Sequence, residues 1–321
     1  MTLKIGTFNL NNLFSRFDFE ADVATATTST VMTRTSFTFA DPSGFRERRY
    51  QGKLVKGKPG TERKQLAARI AEMDLDVLGL QEVEDIDTLK EFNRVDLGGL
   101  YPYVVLVEGN DPRLIDVALL SKHPLGAVTS WSHLADPADP GRPVFSRDLL
   151  QVEVLTENRK RRRLTVFVNH LKSHYVPFNA ADPAAEQARA NELRKRQCDV
   201  AAGVIDAVVR ADSRYVVLGD MNDAEDSEWL APLVRSPELG LVSGLAHARE
   251  TRPAPGNAPP PTTLWTERFK PSGKPPVYTL MDQVWLSPAL APSLSEAFIG
   301  RRSKVRGDGS DHDPSWVVLD I

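Results

Sequence analysis

Tyr215-Val216-Val217-Leu218-Gly219-Asp220-Met221-Asn222 reads as a buried strand: its apolar, β-branched run stops at a glycine and then presents an aspartate and an asparagine two residues apart. Polar residues at the end of a buried strand are where an α/β sheet builds a site, because a rigid scaffold carries them to its rim. The arrangement recurs along the chain. Phe8-Asn9-Leu10-Asn11, Leu80-Gln81-Glu82-Val83 and Val168-Asn169-His170 each close an apolar run, and Met281-Asp282-Gln283-Val284-Trp285 precedes Ser310-Asp311-His312-Asp313-Pro314. These words run from residue 9 to residue 312, so one site draws on the whole chain, and a single domain over 1–321 is expected. Their oxygen donors and histidines, without a cysteine cluster, point to Mg²⁺ or Mn²⁺ rather than Zn²⁺.

Together the words resemble the endonuclease/exonuclease/phosphatase superfamily, which includes deoxyribonuclease I, the apurinic/apyrimidinic endonucleases, neutral sphingomyelinases and inositol polyphosphate 5-phosphatases. Glu82 in LQEV, Asp220 and Asn222 in GDMN, and Asp311 with His312 in SDHDP match its motifs in order, and the resemblance covers residues 5–316. It implies an α/β (α+β) fold, a four-layer sandwich of two packed mixed β-sheets flanked by helices. It also implies metal-dependent phosphodiester hydrolysis.

Composition is that of an ordinary globular protein, with 41% hydrophobic and 26% charged residues among 321. The net charge of −3 argues against binding polyanions by bulk charge. Basic residues are unevenly placed, however: eight Lys/Arg in residues 46–64, an unbroken run at 159–163, and Arg301, Arg302, Lys304 and Arg306. The bland reading of the 159–163 run is a solvated hairpin tip. The single Cys198 excludes an internal disulfide, and no secretory signal is visible, so a cytoplasmic location is expected. No membrane role is expected, since no apolar stretch approaches spanning length.

Between the first strand and the first helix, residues 22–60 read as an insertion. Thr61 reads as the N-cap of a helix reaching Met73, residues 183–209 as a long helix, residues 277–286 as one strand, and residues 252–276 as a Pro-rich surface loop.

Phosphodiester hydrolysis needs charge stabilisation on the phosphoryl oxygens, an activated water and a stabilised leaving oxygen. Glu82 is the best metal ligand. Asn9 offers an amide oxygen to the metal or to Glu82, and Asn11, one strand step further on the same face, is a candidate for the same job. Asp282 in a buried strand needs a partner, which His312 supplies, while Asp311 faces the metal. The resemblance implies that Asp220 binds or orients the attacking water, that Asn222 donates to a phosphate oxygen, and that His170 binds the scissile phosphate or protonates the leaving oxygen. For GDMN the competing structural reading is an Asx turn. Lys172 and Arg113 are candidate phosphate contacts, Arg147 a further one, and His174 reads as a surface histidine.

The expected activity is that of a nuclease on DNA, with little sequence preference. The segments at 46–64 and 301–306 are candidates to follow a phosphate backbone. A phospholipid or phosphoinositide phosphoesterase is the alternative within the same chemistry, disfavoured by the 7% aromatic content. A catalytically silent binding protein is the third reading. The oligomeric state is open, with a monomer favoured.

Overall fold

The computed structural model describes residues 2–15, 57–177, 179–256, 264–305 and 307–321. In chain order its strands are β1 (Thr2–Leu13), β2 (Val77–Val83), β3 (Tyr103–Leu106), β4 (Asp116–Ser121), β5 (Leu125–Ser130), β6 (Ala135–Asp136), β7 (Asp139–Pro143), β8 (Leu149–Leu155), β9 (Arg162–His170), β10 (Tyr215–Asp220), β11 (Val242–Ser243), β12 (Arg249–Glu250), β13 (Glu267–Phe269), β14 (Val277–Thr279), β15 (Asp282–Leu286), β16 (Leu294–Ile299) and β17 (Ser315–Asp320). Its α-helices are α1 (Gly60–Met73), α2 (Ile86–Val95), α3 (Pro183–Val208) and α4 (Ala231–Val234). One sheet runs β12-β16-β17-β1-β2-β4-β3 and the other β11-β15-β10-β9-β8-β5. Both are mixed: β1 is parallel to β2 and antiparallel to β17, and β10 is parallel to β9 and antiparallel to β15.

Side-chain alternation sorts these strands into layers. Val216 and Leu218 of β10 point between the sheets, among Ile5, Val77, Val152, Val166 and Val317. Tyr215 and Val217 point the other way, under Cys198 and Ile205 of α3 and Leu233 of α4. On the far side Leu66 and Ile70 of α1 and Phe92 of α2 cover Phe8, Leu78 and Leu80. The result is the helix–sheet–sheet–helix sandwich that the motifs imply. None of the described helices is long and apolar enough to cross a membrane.

The same alternation aims the polar words. Asn9 continues the inward face of Leu3 and Ile5; His170 continues that of Leu164, Val166 and Val168; Asp220 follows Val216 and Leu218; Asp282 precedes Val284 and Leu286. All four therefore cap one end of the layer between the sheets. Two glycines permit the close approach. A Cβ at Gly79 would lie 2.3 Å from Leu218 Cδ1 on the facing sheet. At Gly219, with φ +144°, a Cβ would lie 1.9 Å from the Asn169 carbonyl oxygen on β9.

Several sequence expectations need correction. Thr61 does not cap α1, which starts at Gly60 behind Pro59 with no side-chain cap. Residues 277–286 form two strands, because β14 pairs with β13 while β15 joins the second sheet. Between them the Met281 carbonyl accepts the Met221 N–H, so the break is hydrogen-bonded to the GDMN turn. The 252–276 stretch is not all surface loop: Trp265 and Thr266 are buried, and β13 lies within it, while residues 257–263 fall outside the described residues. Of the insertion expected at 22–60, residues 22–56 also lie outside them.

Arg301 and Arg302 are buried rather than turned toward a phosphate backbone. Three guanidinium groups converge on the Asp313 carboxylate: Arg69 at 3.0 Å, Arg301 at 3.1 Å and Arg302 at 3.0 Å. Asp308 adds 2.9 Å to Arg69, Glu250 adds 2.6 Å to Arg301, and the Arg301 guanidinium lies 3.9 Å from the centre of the Trp265 ring. Charges this deep persist only when paired in this way. Lys304 is exposed and Arg306 lies outside the described residues.

Two outcomes are expected. Gly219→Ala should cost at least ~2 kcal/mol, combining a backbone conformation unfavourable to L side chains with a clash against β9; urea unfolding reads this, and wild-type stability would refute the close approach. Asp116, buried at the start of β4, has its pKa raised by burial to about 7, although its Oδ1 accepts the Gly109 N–H at 2.9 Å. Its unfolded carboxyl ionises near ~4, so its contribution to stability is full below that pH and is lost as pH rises through about 7. Asp116→Asn should therefore be more stable than wild type at pH 8 by roughly 1 kcal/mol or more, with the gap closing toward pH 4; parallel unfolding curves across that range would overturn this.

Candidate active site

Asp220 is the hub of the polar end. Its Oδ1 accepts the Asn222 N–H at 2.9 Å, and its Oδ2 accepts from Asn9 Nδ2 on the other sheet, also at 2.9 Å. The Asx turn is formed by one carboxylate oxygen, which leaves the other facing Asn9, His170 and His312. His170, directly opposite Asp220 in the β9–β10 pairing, places Nε2 3.5 Å from Oδ2, and His312 Nε2 stands 4.0 Å away. Burial lifts the Asp220 pKa to about 7, opposed by the charge of His312 and reinforced by Asp282.

The two histidines are driven in opposite directions. Burial, with Arg147 and His312 adding to it, pushes His170 well below the usual imidazole range, and its Nδ1 is buried without a hydrogen-bond partner among the described residues. At His312 burial also opposes the charge, but Asp282, Asp220 and Asp311 outweigh it and hold the ring well above that range. His312 Nδ1 sits 2.7 Å from Asp282 Oδ2, which leaves Nε2 turned toward Asp220 at a separation too long for a hydrogen bond. A neutral imidazole and an imidazolium therefore flank one carboxylate.

Backbone conformations outside the usual L-residue regions cluster here. Glu82 adopts φ +61°, Asn222 +54° and Asn11 +47°. Such conformations cost roughly 1–3 kcal/mol each and are kept where neighbouring structure enforces them. At Glu82 the β2 ladder is irregular on both sides, which turns the carboxylate out of the regular alternation. At Asn11 the same irregularity breaks the strand step assumed from sequence. Its side chain does not repeat the direction of Asn9; instead its N–H bonds Asn9 Oδ1 at 2.9 Å, and its carbonyl accepts Lys58 Nζ at 2.6 Å.

The remaining candidates are placed as follows. Asp311 is exposed beside His312. Asn222 Nδ2 donates to the Leu171 carbonyl at 3.0 Å. Arg113 is held on Asp111 by contacts of 3.0 and 2.9 Å, and buried Arg147 approaches the other side of the same carboxylate at 3.3 Å. Lys172 is fixed through its backbone, its N–H bonding Gln197 and its carbonyl accepting from Arg194. His174 is exposed, 3.7 Å from Asp223.

Three residues that sequence reasoning passed over hold this set. Ser310 Oγ donates to the Asn9 carbonyl at 2.7 Å and accepts the His312 N–H at 3.0 Å, tying the first strand to the last motif. Thr266 Oγ1 accepts the N–H groups of both Met281 and Asp282, fixing the carboxylate that grips His312. Ser315 Oγ donates to the Asp282 carbonyl at 2.9 Å. Threonine and serine carry little signal alone; Thr266 follows Trp265, the aromatic interruption of the Pro-rich stretch, which was the available hint.

Among the described residues no three His, Cys, Asp or Glu side chains form a ready-made metal cluster. The residues that would hold a metal are the Glu82 and Asp311 carboxylates with the Asn9 amide oxygen, which here accepts the Asn11 N–H. Lys58 lies within the electrostatic reach of both carboxylates. Burial lowers its pKa, and Glu62, Asp311 and Glu82 all act in the opposite direction, so a cation already sits within their field. Two carboxylates and a neutral oxygen would suit Mg²⁺ better than Zn²⁺.

No curated protein matches the chain by sequence. Among solved structures, an apurinic/apyrimidinic endonuclease from Archaeoglobus fulgidus superposes with a TM-score of 0.57 at 16% identity, covering 99% of this chain and 100% of that one. A mannosyl-6-phosphatase from Bacteroides thetaiotaomicron gives 0.57 at 13% identity with the same coverage. The human nocturnin catalytic domain gives 0.56 at 14%, covering 99% of this chain and 94% of that one. At such identities these likenesses establish the fold. The Endonuclease/Exonuclease/phosphatase family profile matches residues 6–312, nearly the entire chain, and the protein belongs to that family of phosphoester hydrolases.

Proposed function

We propose that the protein is a divalent-metal-dependent phosphodiesterase, a nuclease that hydrolyses DNA with low sequence specificity by in-line attack of water. The observation that carries the reading is the Asp220 carboxylate, with Asn9, His170 and His312 around one oxygen and a pKa near the operating pH. Glu82, Asp311 and the Asn9 amide oxygen would hold Mg²⁺ or Mn²⁺. When bound, the metal supplies charge neutralisation at the phosphoryl oxygens and lowers the pKa of water.

The chain's own residues divide the remaining work. Asp220 Oδ2 accepts the proton of the attacking water, since it is the carboxylate whose burial makes it basic enough. His312, held as an imidazolium by Asp282, presents Nε2–H to a phosphoryl oxygen and fixes the phosphate against Asp220. Neutral His170 lies on the other side of Asp220, within reach of the same phosphate. Arg113, Arg147 and Lys172 form a cationic wall beside it, organised by Asp111 and by α3. These contacts read phosphate and charge rather than base edges, which supports low sequence preference.

Supercoiled plasmid incubated with Mg²⁺, with Mn²⁺ and with EDTA tests the reading. Nicking should need metal, and Glu82→Ala, Asp220→Ala and His312→Ala should each reduce its rate at least ~10²-fold while leaving the fold intact by circular dichroism. A His312→Ala protein that nicks at near wild-type rate would sink the site assignment. Plasmid left intact by protein that hydrolyses a small phosphodiester would sink the choice of DNA.

A further inference from the structure

Two basic stretches far apart in sequence meet at the opposite end of the second sheet from Asp220. The turn between β8 and β9 brings Arg161, Arg162 and Arg163 against Arg210 and Arg214 of the α3–β10 connection, and together they line a groove of about 1110 Å³. As read from sequence, the 159–163 run lies at the solvated tip of the β8–β9 hairpin, and the fold sets that tip beside a second basic segment. Arg162 pairs with Glu153 at 2.8 Å, and Arg163 lies 3.3 Å from His123 Nε2. Arg161, Arg210 and Arg214 are exposed and have no side-chain ion pair among the described residues. Two carboxylates also line it, Glu157, which contacts His123, and Asp212. A chain of net charge −3 thus concentrates five arginines in one concavity.

We propose that this groove is a second, non-catalytic binding site for the phosphodiester backbone of a nucleic-acid strand. Its volume admits several phosphate groups in a row rather than one. Guanidinium groups on both walls can each fork onto phosphate oxygens. Its apolar lining is limited to Val208 and Ile321, with no aromatic side chain. A membrane surface would call for a flat or convex face with apolar anchors, which a groove lacks. With no platform for base stacking, the contacts are to phosphate and carry no sequence information. The nine-residue strand β9 begins at Arg162 and ends at His170, so the groove lies ~26 Å from the catalytic end. A long strand can engage both ends at once, and a di- or trinucleotide cannot. The inference rests on the nuclease reading for its choice of a nucleic-acid strand over other polyphosphates.

The test is fluorescence anisotropy of a labelled thymidine oligonucleotide of about 20 nucleotides on the full chain in EDTA, between roughly 50 and 200 mM salt. Arg161→Gln/Arg210→Gln/Arg214→Gln should bind at least ~10-fold more weakly, and its log–log salt slope should be shallower by about 2, for three lost single-strand phosphate contacts. Unchanged affinity and slope in a triple variant that melts like wild type would overturn the proposal. Should the triple variant fail to fold, Arg210→Gln and Arg214→Gln singly should each flatten the slope by about 0.7, and no change in either would overturn it. Polyglutamate displacing the strand as well as inorganic tripolyphosphate does would also refute it, because the groove would then read charge alone. No cleavage enters the measurement, so a protein that holds the strand here yet nicks no plasmid would fail only the nuclease reading.

Discussion

The hydrogen bond from Asn9 to Asp220 joins the two sheets at the one place where their shared core becomes polar. The polar end of the shared core is arranged around the cost of that carboxylate. A buried carboxyl group favours its neutral form, and this one is kept usable by an amide donor from β1, a turn N–H from Asn222 and the positive ring of His312. Gly219 immediately before it lets β9 approach closely enough for His170 to stand opposite. Moving any of these partners leaves a buried charge with too few donors, which is far more costly than losing one contact at the surface.

The final motif shows how neighbouring residues take separate tasks. Asp311 is exposed, His312 turns inward to Asp282, and Asp313 drops into the interior, where three arginines bind it. The arginine cluster is thus the foundation of the catalytic loop. Arg69 comes from α1, Arg301 and Arg302 from the end of β16, and Thr266 accepts the Asp313 N–H through its carbonyl while its hydroxyl orients Asp282. Buried ion pairs of this kind contribute little net stability, but they fix geometry because one partner cannot be removed alone.

Much of this was legible in the residues themselves. The apolar, β-branched runs ending in acids, amides and histidines announced both the sheets and the rim on which the polar groups gather, since alternation with period two carries each word to the same face. What stayed hidden has physical causes. Arg301 and Arg302 read as free cations because a sequence does not show that Asp313, eleven residues on, turns inward. Asn11 read as a second inward amide because period-two alternation does not show where a strand breaks into the left-handed backbone, a conformation that asparagine tolerates better than most residues. Residues 277–286 read as one strand because apolar periodicity does not show where a chain leaves one sheet for another. The hydroxyls of Ser310 and Thr266 act through single hydrogen bonds to distant backbone, which no local pattern encodes.

The contacts that complete the site also govern when it can exist. Asn9 and Asp220 are separated by 211 residues and Ser310 and Asn9 by 301, so the constellation closes through some of the longest-range pairings in the chain. Such pairings form late, because the entropy of closing large loops must be met before they return any energy. A nascent chain emerging residue by residue carries Glu82 and Asp220 well before His312 and β17 are available to pair with β1. Assembly of this constellation is therefore coupled to completion of the sandwich, and a chain that stops short of β17 lacks it.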